Sequence, residues 1–191
     1  TELRCLLDSL RQRYPEHRLV AVFQPHRHER VKRYGTEFDA LLGSADETVV
    51  TAPFAAWVDD GDDTEPRRIA ESVTDCPATY WDGEYAPLID FLLAGEQRGT
   101  TAGLPARTVY TIIGAGSVGK LVPLLRDALV RRELTQFGAR LREALPGTNV
   151  SDEAPWWELT TLGVGGMRPL TIAPRSIEEL RTVLALCRDG D

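Results

Sequence analysis

Short apolar and β-prone runs alternate with helical patterns along most of the chain. The run Arg18–Phe23 is apolar after its first residue, which is typical of a strand buried on both faces of a parallel sheet. Further strands are predicted over Glu47–Ala52, Ala78–Trp81 and Thr108–Ile113, the last being the most β-prone run in the chain. This alternation predicts an α/β fold with a Rossmann-like, mostly parallel sheet and flanking helices.

Helical patterns fill the gaps between these strands. Leucines at helical spacing open the chain, and further helices are predicted over 29–42, 67–73, 85–93 and 117–134. The Gly- and Thr-rich stretch 95–106 is predicted as an irregular connection.

The last part of the chain has a different pattern. Short strands are predicted over 159–164 and 170–173, around a group of glycines. Ser176, with Glu179 three residues later, has the spacing of a capping box and opens a final helix. So small a set of elements cannot bury a sufficient core by itself.

A chain of 191 residues is long enough for one domain and a fragment of another. We predict a sheet domain over 1–145, a polar and aromatic linker over 146–158, and an incomplete α+β tail over 159–191.

The composition excludes several classes of protein. The formal net charge is −7, which gives no reason to expect nucleic-acid binding. No apolar run approaches the ~20 residues of a membrane span, and the opening residues carry no secretion signal. The histidines lack the spacing of metal ligands, so no metal site is predicted. Cys5, Cys76 and Cys187 have apolar neighbours and are interpreted as buried thiols of a protein from a reducing compartment, the cytoplasm.

A glycine-rich loop follows the strand Thr108–Ile113, and two interpretations are open. Gly114, Gly116 and Gly119 have the spacing of a dinucleotide fingerprint, which would make this an NAD(P)-binding domain of an oxidoreductase. The acidic residue that should end a next strand about 20 residues on is missing. A Walker A motif fails at Leu121, where Ser or Thr would hold Mg²⁺. Alternatively, the glycines let the strand turn tightly into the helix.

A basic string stands where the run Arg18–Phe23 gives way to a helix. His26 and Arg27 are followed by Arg30, and the two arginines share one face of the first helical turn. Ligands bind at this edge of open α/β sheets, and amides at a helix start favour anions. The pattern indicates an anion site; the alternative is a solvated helix start that happens to be basic.

The string Phe23-Gln-Pro-His-Arg27 resembles the carboxy-terminal domain of the UDP-N-acetylmuramate–L-alanine ligases, the MurC type of Mur ligase in peptidoglycan synthesis. The similarity begins at Thr1, continues through Ala45-Asp46 and closes at the glycine-rich loop.

This resemblance implies an ATP- and Mg²⁺-dependent ligase. ATP phosphorylates the lactyl carboxylate of UDP-N-acetylmuramate, and L-alanine attacks the acyl phosphate. Carboxylate, phosphate and tetrahedral intermediate are all anionic, so fixed cations are required. The resemblance implies Arg27 and Arg30 at that centre, with His26 supporting or contacting it. Either arginine could hold the alanine carboxylate or the acyl phosphate.

The tail resembles a second family. Leu159–Gly166, followed by Ala173–Leu180, is similar to the start of the UDP-N-acetylenolpyruvoylglucosamine reductases (MurB type), with Leu162 where that family has Phe. This implies a ligase–reductase fusion, with a flavin-binding domain that uses FAD and NADPH when intact. The residues of this chain that would belong to the FAD site are Thr160, Thr161, Gly165 and Gly166.

Both resemblances leave large parts of their families outside this chain. The missing parts are the UDP-binding and central ATPase domains of the ligase, and the flavin pyrophosphate loop of the reductase. We expect these partners in the same longer polypeptide. We expect the chain alone to be catalytically inactive and to bind no cofactor.

Overall fold

The computed structural model describes residues 2–25, 38, 40–53, 64–101, 103, 107–114, 116–152, 161 and 170–188. The chain divides into two compact units, residues 1–125 and residues 126–191. Within the described ranges, no helix combines the length and apolarity that a membrane crossing requires.

The first unit is built on a parallel sheet. Its described strands are β1 (Arg18–Phe23), β2 (Glu47–Thr51), β3 (Ala78–Trp81) and β4 (Thr108–Ile113). They lie in the order β3-β2-β1-β4, so β1 is central and pairs in parallel with both β2 and β4. The predicted α/β fold with a mostly parallel sheet is confirmed.

Helices alternate with these strands along the chain. They are α1 (Glu2–Arg13), α2 (Thr64–Ser72), α3 (Tyr85–Thr101) and α4 (Leu121–Ala144), the last preceded by a 3₁₀ turn over Ser117–Lys120. The strand bounds agree with the sequence prediction within one residue. The helix predicted over 29–42 falls mostly outside the described residues.

Both faces of β1 are buried. Leu19, Ala21 and Phe23 point to one side, where they pack with a cluster that includes Leu3 and Leu7 of α1. Successive side chains of a strand point to opposite faces, and the intervening Val20 and Val22 are also fully buried. A fully buried Val, Leu or Phe side chain stabilises a fold by about 1.5–3 kcal/mol. This two-sided burial explains why the run is apolar without alternation.

The stretch Gly95–Thr101 is helical, so the predicted irregular connection was wrong there. A Cβ on Gly95 would lie 3.0 Å from a guanidinium nitrogen of Arg98 and 3.4 Å from the Glu47 carboxylate. Glycine at this position therefore lets α3 pass close to an ion network at the amino end of β2. A tertiary contact outweighs the low helix propensity of glycine.

The second unit combines most of α4 with an antiparallel pair of strands and a helix. β5 (Asn149–Asp152) pairs antiparallel with β6 (Leu170–Ala173), and α5 (Ile177–Arg188) follows. The core residues are Leu141, Leu145 and Val183, with Phe137, Val150, Leu170, Ile172 and Leu186 packed against them. The expected small α+β tail is confirmed.

The stretch interpreted as a linker contains β5, because Val150 pairs with Ile172 and joins the core. Of the strand predicted over 159–164, the described part is Thr161, which occupies an exposed turn. The proposed domain boundaries stay a prediction.

The cysteines are less buried than predicted. Cys5 and Cys187 are exposed, and Cys76 is half-buried. On α1 the core-facing positions are Leu3 and Leu7, and Cys5 falls between them on the opposite side of the helix.

The predicted capping box at the start of α5 is confirmed in a variant form. The Glu179 amide donates to the Ser176 hydroxyl at 3.1 Å. The Glu179 carboxylate accepts from the backbone N–H of Arg175 at 2.7 Å, one residue before the usual partner, and from the Arg175 guanidinium at 2.9 Å. The backbone bond first, and then the guanidinium, lower the pKa of Glu179 below its usual value.

This bond predicts a pH-dependent start to α5. A carboxylate with a lowered pKa in the folded state stabilises that state at neutral pH. The contribution is lost as the pH falls through the folded-state pKa. In NMR spectra, the helical Cα shifts of residues 177–181 should be larger in the wild type than in Glu179→Gln at pH 7. That difference should shrink as the pH falls through the folded-state pKa of Glu179, whereas the neighbouring Glu178→Gln should keep the wild-type titration. A difference that stays constant while the Glu179 carboxyl signal itself titrates would contradict the assignment.

Candidate functional site

The strand order creates a switch point at the carboxyl edge of the sheet. From β1 the chain proceeds to β2 and β3 on one side, and then crosses to β4 on the other side. In open parallel sheets, ligands bind outside the carboxyl ends of the strands where the order reverses. Here that point lies between the ends of β1 and β4, which are followed by Gln24 and Gly114.

The Gln24 side chain joins three of the strand ends. Its Nε2 donates to the carbonyl oxygen of Ala52, just after β2, at 3.2 Å. The same nitrogen donates to the Ser117 hydroxyl, after β4, at 3.1 Å. Its Oε1 accepts from the Val118 N–H at 3.0 Å. Gln24 is 4% exposed, so the carboxamide is a buried cross-link.

Gly114 allows the β4 end to approach β1. Its φ is +155°, and a Cβ here would lie 2.9 Å from both the Gln24 Cβ and a Val118 methyl carbon. Real Cβ atoms do not approach other heavy atoms so closely, because the van der Waals repulsion is too strong. Gly114 is therefore required by packing between neighbouring strand ends.

The polar network continues to α3. The Tyr85 hydroxyl donates to the Ser117 hydroxyl oxygen at 3.2 Å, so that oxygen accepts from Tyr85 and from Gln24. The Gly119 N–H donates to the Gly116 carbonyl at 3.3 Å. A phosphate bound to a glycine-rich loop uses the amide N–H groups at the helix start. Two of them, on Val118 and Gly119, already have partners, which gives no support to the dinucleotide interpretation.

Several predicted site residues lie outside the described residues. These are His26, Arg27, Arg30, Thr160, Gly165 and Gly166. Thr161 lies in an exposed turn of the second unit. The structure does bring Gly114 next to Gln24, and it places Gly116 at the start of the 3₁₀ turn. A Cβ on Gly119 would have no atom within 4 Å, so packing does not require glycine at this position.

Gln24 is the functional candidate that the sequence prediction overlooked. A signal was present, because Gln24 directly extends a fully buried strand and precedes Pro25. A polar side chain at such a position must find hydrogen-bond partners in the interior. The sequence does not show that these partners come from residues 28 and more than 90 positions away.

Among the described residues of the first unit, Cys76 has a clearly shifted pKa, and it lies away from this edge. Burial raises the pKa of the Cys76 thiol, whose sulfur lies 3.8 Å from the Thr48 hydroxyl, near the amino end of β2. In the described ranges, no three His, Cys, Asp or Glu side chains are grouped so that they could hold a metal ion.

Comparison with known proteins gives one consistent result. The chain is similar to curated proteins named UDP-N-acetylmuramate–L-alanine ligase. It is 30% identical to that of Bifidobacterium adolescentis over 138 residues, which is 68% of this chain and 25% of the relative. The values are 31% over 134 residues, 68% and 25%, for Bifidobacterium longum. They are 29% over 133 residues, 70% and 27%, for Nitrosomonas eutropha. The chain thus spans about a quarter of the length of these relatives. No protein-family model matches the chain.

The two glycines of the loop predict opposite responses to alanine. Gly114→Ala should lower the free energy of unfolding by about 1–3 kcal/mol, because the methyl group overlaps Gln24 and Val118 and the backbone is strained. Gly119→Ala, the matched control, should change it by no more than about 0.5 kcal/mol. Urea denaturation followed by circular dichroism measures both. Equal stability of the two variants would show that the close approach at Gly114 is absent.

Proposed function

We propose that this chain is the carboxy-terminal part of an ATP-dependent UDP-N-acetylmuramate–L-alanine ligase of peptidoglycan synthesis. The similarity to proteins of that name over more than two thirds of the chain carries the proposal. A match of 138 residues at 30% identity is too long to arise from a single shared motif. Since the chain spans about a quarter of such relatives, the activity belongs to a longer protein.

The proposed role of this chain in the reaction is to supply positive charge. A substrate carboxylate is activated as an acyl phosphate with the phosphoryl group of ATP, for which Mg²⁺ supplies charge neutralisation. L-Alanine then attacks, and phosphate leaves the tetrahedral intermediate. Arg27 and Arg30 would bind the anionic oxygens through paired N–H groups, which match carboxylate and phosphate geometry. His26 would support the same centre.

The position of His26, Arg27 and Arg30 in the sequence agrees with that role. Pro25 is the last described residue before them, and it follows the carboxyl end of the central strand β1. Residues that leave this edge of a parallel sheet are well placed to contact a ligand. ATP, UDP-N-acetylmuramate and L-alanine would be the substrates, and the cytoplasm would be the site of the reaction.

The glycine-rich loop has a structural role in this proposal. Gly114 and the residues around it hold the strand ends together, and ATP binds elsewhere in the longer protein. An oxidoreductase function through Gly114, Gly116 and Gly119 has no supporting observation in the geometry of the loop.

We also propose that residues 159–191 begin a reductase-like, FAD-binding segment fused to the ligase. The sequence resemblance of Leu159–Gly166 supports this extension. A flavin needs a groove with backbone donors for its pyrophosphate. The β5–β6 pair and α5 supply no such loop among the described residues of the second unit.

The ligase proposal can be tested in a chimera. The full chain, residues 1–191, would replace the matching quarter of the Bifidobacterium adolescentis ligase. We expect the chimera to form the L-alanine adduct with release of phosphate. Arg27→Ala should lower kcat at least about a hundredfold, because a fixed cation is lost from an anionic transition state.

The exposed Arg4 on α1 provides a matched control for this substitution. Arg4→Ala should leave turnover unchanged. A chimera that folds, as judged by circular dichroism and gel filtration, but catalyses no ligation would refute the proposed function. An active chimera that is indifferent to Arg27→Ala would refute the assignment of that residue.

The tail proposal predicts that the purified chain is colourless. Titration with FAD, followed by flavin fluorescence and calorimetry, should detect no saturable binding at micromolar concentrations. A yellow preparation with near-stoichiometric flavin would contradict this expectation.

A further inference from the structure

Gln24 holds a position where the fold would ordinarily place an apolar side chain. The five residues before it are buried and apolar, and Gln24 is itself 4% exposed. A buried carboxamide must have all its main hydrogen-bonding groups satisfied to be tolerated in the interior. Gln24 meets that requirement with both Nε2 donors and with Oε1.

These bonds fix the orientation of the carboxamide. Exchanging its nitrogen and oxygen would place an acceptor against the Ala52 carbonyl oxygen and a donor against the Val118 N–H. One orientation alone therefore satisfies all three bonds, and that orientation locks the ends of β2 and β4 to the end of β1. An apolar side chain of the same volume would fill the space without directing these chain segments.

Further bonds on both sides support this set of three side-chain hydrogen bonds of Gln24, which we call the Gln24 lock. The Gln24 backbone N–H donates to the Ile113 carbonyl at 2.8 Å, which extends the pairing of β1 with β4 by one residue. On the far side, the Tyr85 hydroxyl donates to Ser117 and so restrains the hydroxyl oxygen that Gln24 binds. Gly114 keeps the space open for this arrangement.

We infer that Gln24 is a positioning residue, which sets the direction in which the chain leaves β1 toward the proposed arginine site. The inference rests on the proposed function. Arg27 follows Gln24 by three positions in the sequence, so a change in the exit of the chain at Gln24 and Pro25 is passed to it through few rotatable bonds. Misplacement of a contacting group by about 1 Å can lower a rate about a hundredfold.

The test uses the ligase chimera with Gln24→Met, which conserves volume and removes the three side-chain bonds. At a temperature where circular dichroism shows the variant to be folded, kcat should fall tenfold to a hundredfold. The KM for ATP should stay within twofold of the wild type, since ATP binds elsewhere. Ser117→Ala, which removes one of the three bonds, should give a smaller loss. Gln12→Met, at an exposed glutamine of α1, is the matched control and should behave as wild type.

The outcomes separate the two proposals. An active wild-type chimera with an unchanged kcat in Gln24→Met would overturn the inference on Gln24 and leave the proposed function standing. A folded but inactive wild-type chimera would refute the proposed function, and the role of Gln24 with it.

In the unmodified chain, the Gln24 side-chain amide protons should exchange slowly with solvent in NMR spectra. Fast exchange would show that the lock does not form.

Discussion

The central strand β1 is bounded at each end by a buried polar side chain, and the rest of the first unit depends on these two ends. At its amino end, the guanidinium of Arg18 forms an ion pair with the Glu47 carboxylate at the start of β2, and both residues are buried. At its carboxyl end, Gln24 bonds to the chain beyond β2 and β4. Apolar burial favours compaction but has no direction, whereas these bonds hold for one register only. A slip by one residue would break both and would reverse the faces of Leu19–Phe23.

This arrangement explains how far the sequence could predict the fold. The strands were predictable because their β-prone and apolar runs are a local signal, which for β1 and β2 reports burial on both faces. The helical course of Gly95–Thr101 was not, because it depends on an approach to Arg18 and Glu47, which are far away in the sequence. β5 was not predictable either, since Asn149–Asp152 has little apolar character and is stabilised by its pairing with β6. A local sequence pattern predicts an element whose own residues are apolar or β-prone. It fails where a contact with a distant segment determines the secondary structure.

The candidate site shows the same limit in sharper form. The spacing of Gly114, Gly116 and Gly119 is compatible with a phosphate loop and with a tight turn, since both need glycine after a strand. What distinguishes them is the acceptor that the amides at the start of the following helix meet. In this structure the Val118 N–H meets the Gln24 side chain. The acceptor comes from the other side of the switch point, and no property of the loop sequence encodes it. The carboxyl edge of the sheet could be predicted as a candidate site. The Gln24 side chain that bonds to the loop there could not.

A ligase reaction of the proposed kind places a particular demand on such an edge. Negative charge moves from a carboxylate to an acyl phosphate and then to a tetrahedral intermediate, so the cations that stabilise it must be aimed at the later species. Long arginine side chains lose rotamer entropy when they are fixed, and a backbone that also moved would raise that cost. A directional lock at Gln24, one residue before Pro25, removes the backbone part of the cost before substrate binds. The apolar core of Leu3, Leu7 and Phe23 then gives the lock a rigid base. In this proposal both the packing of the strand ends and the placement of the cations depend on Gln24, where an apolar side chain of the same volume would supply burial without direction.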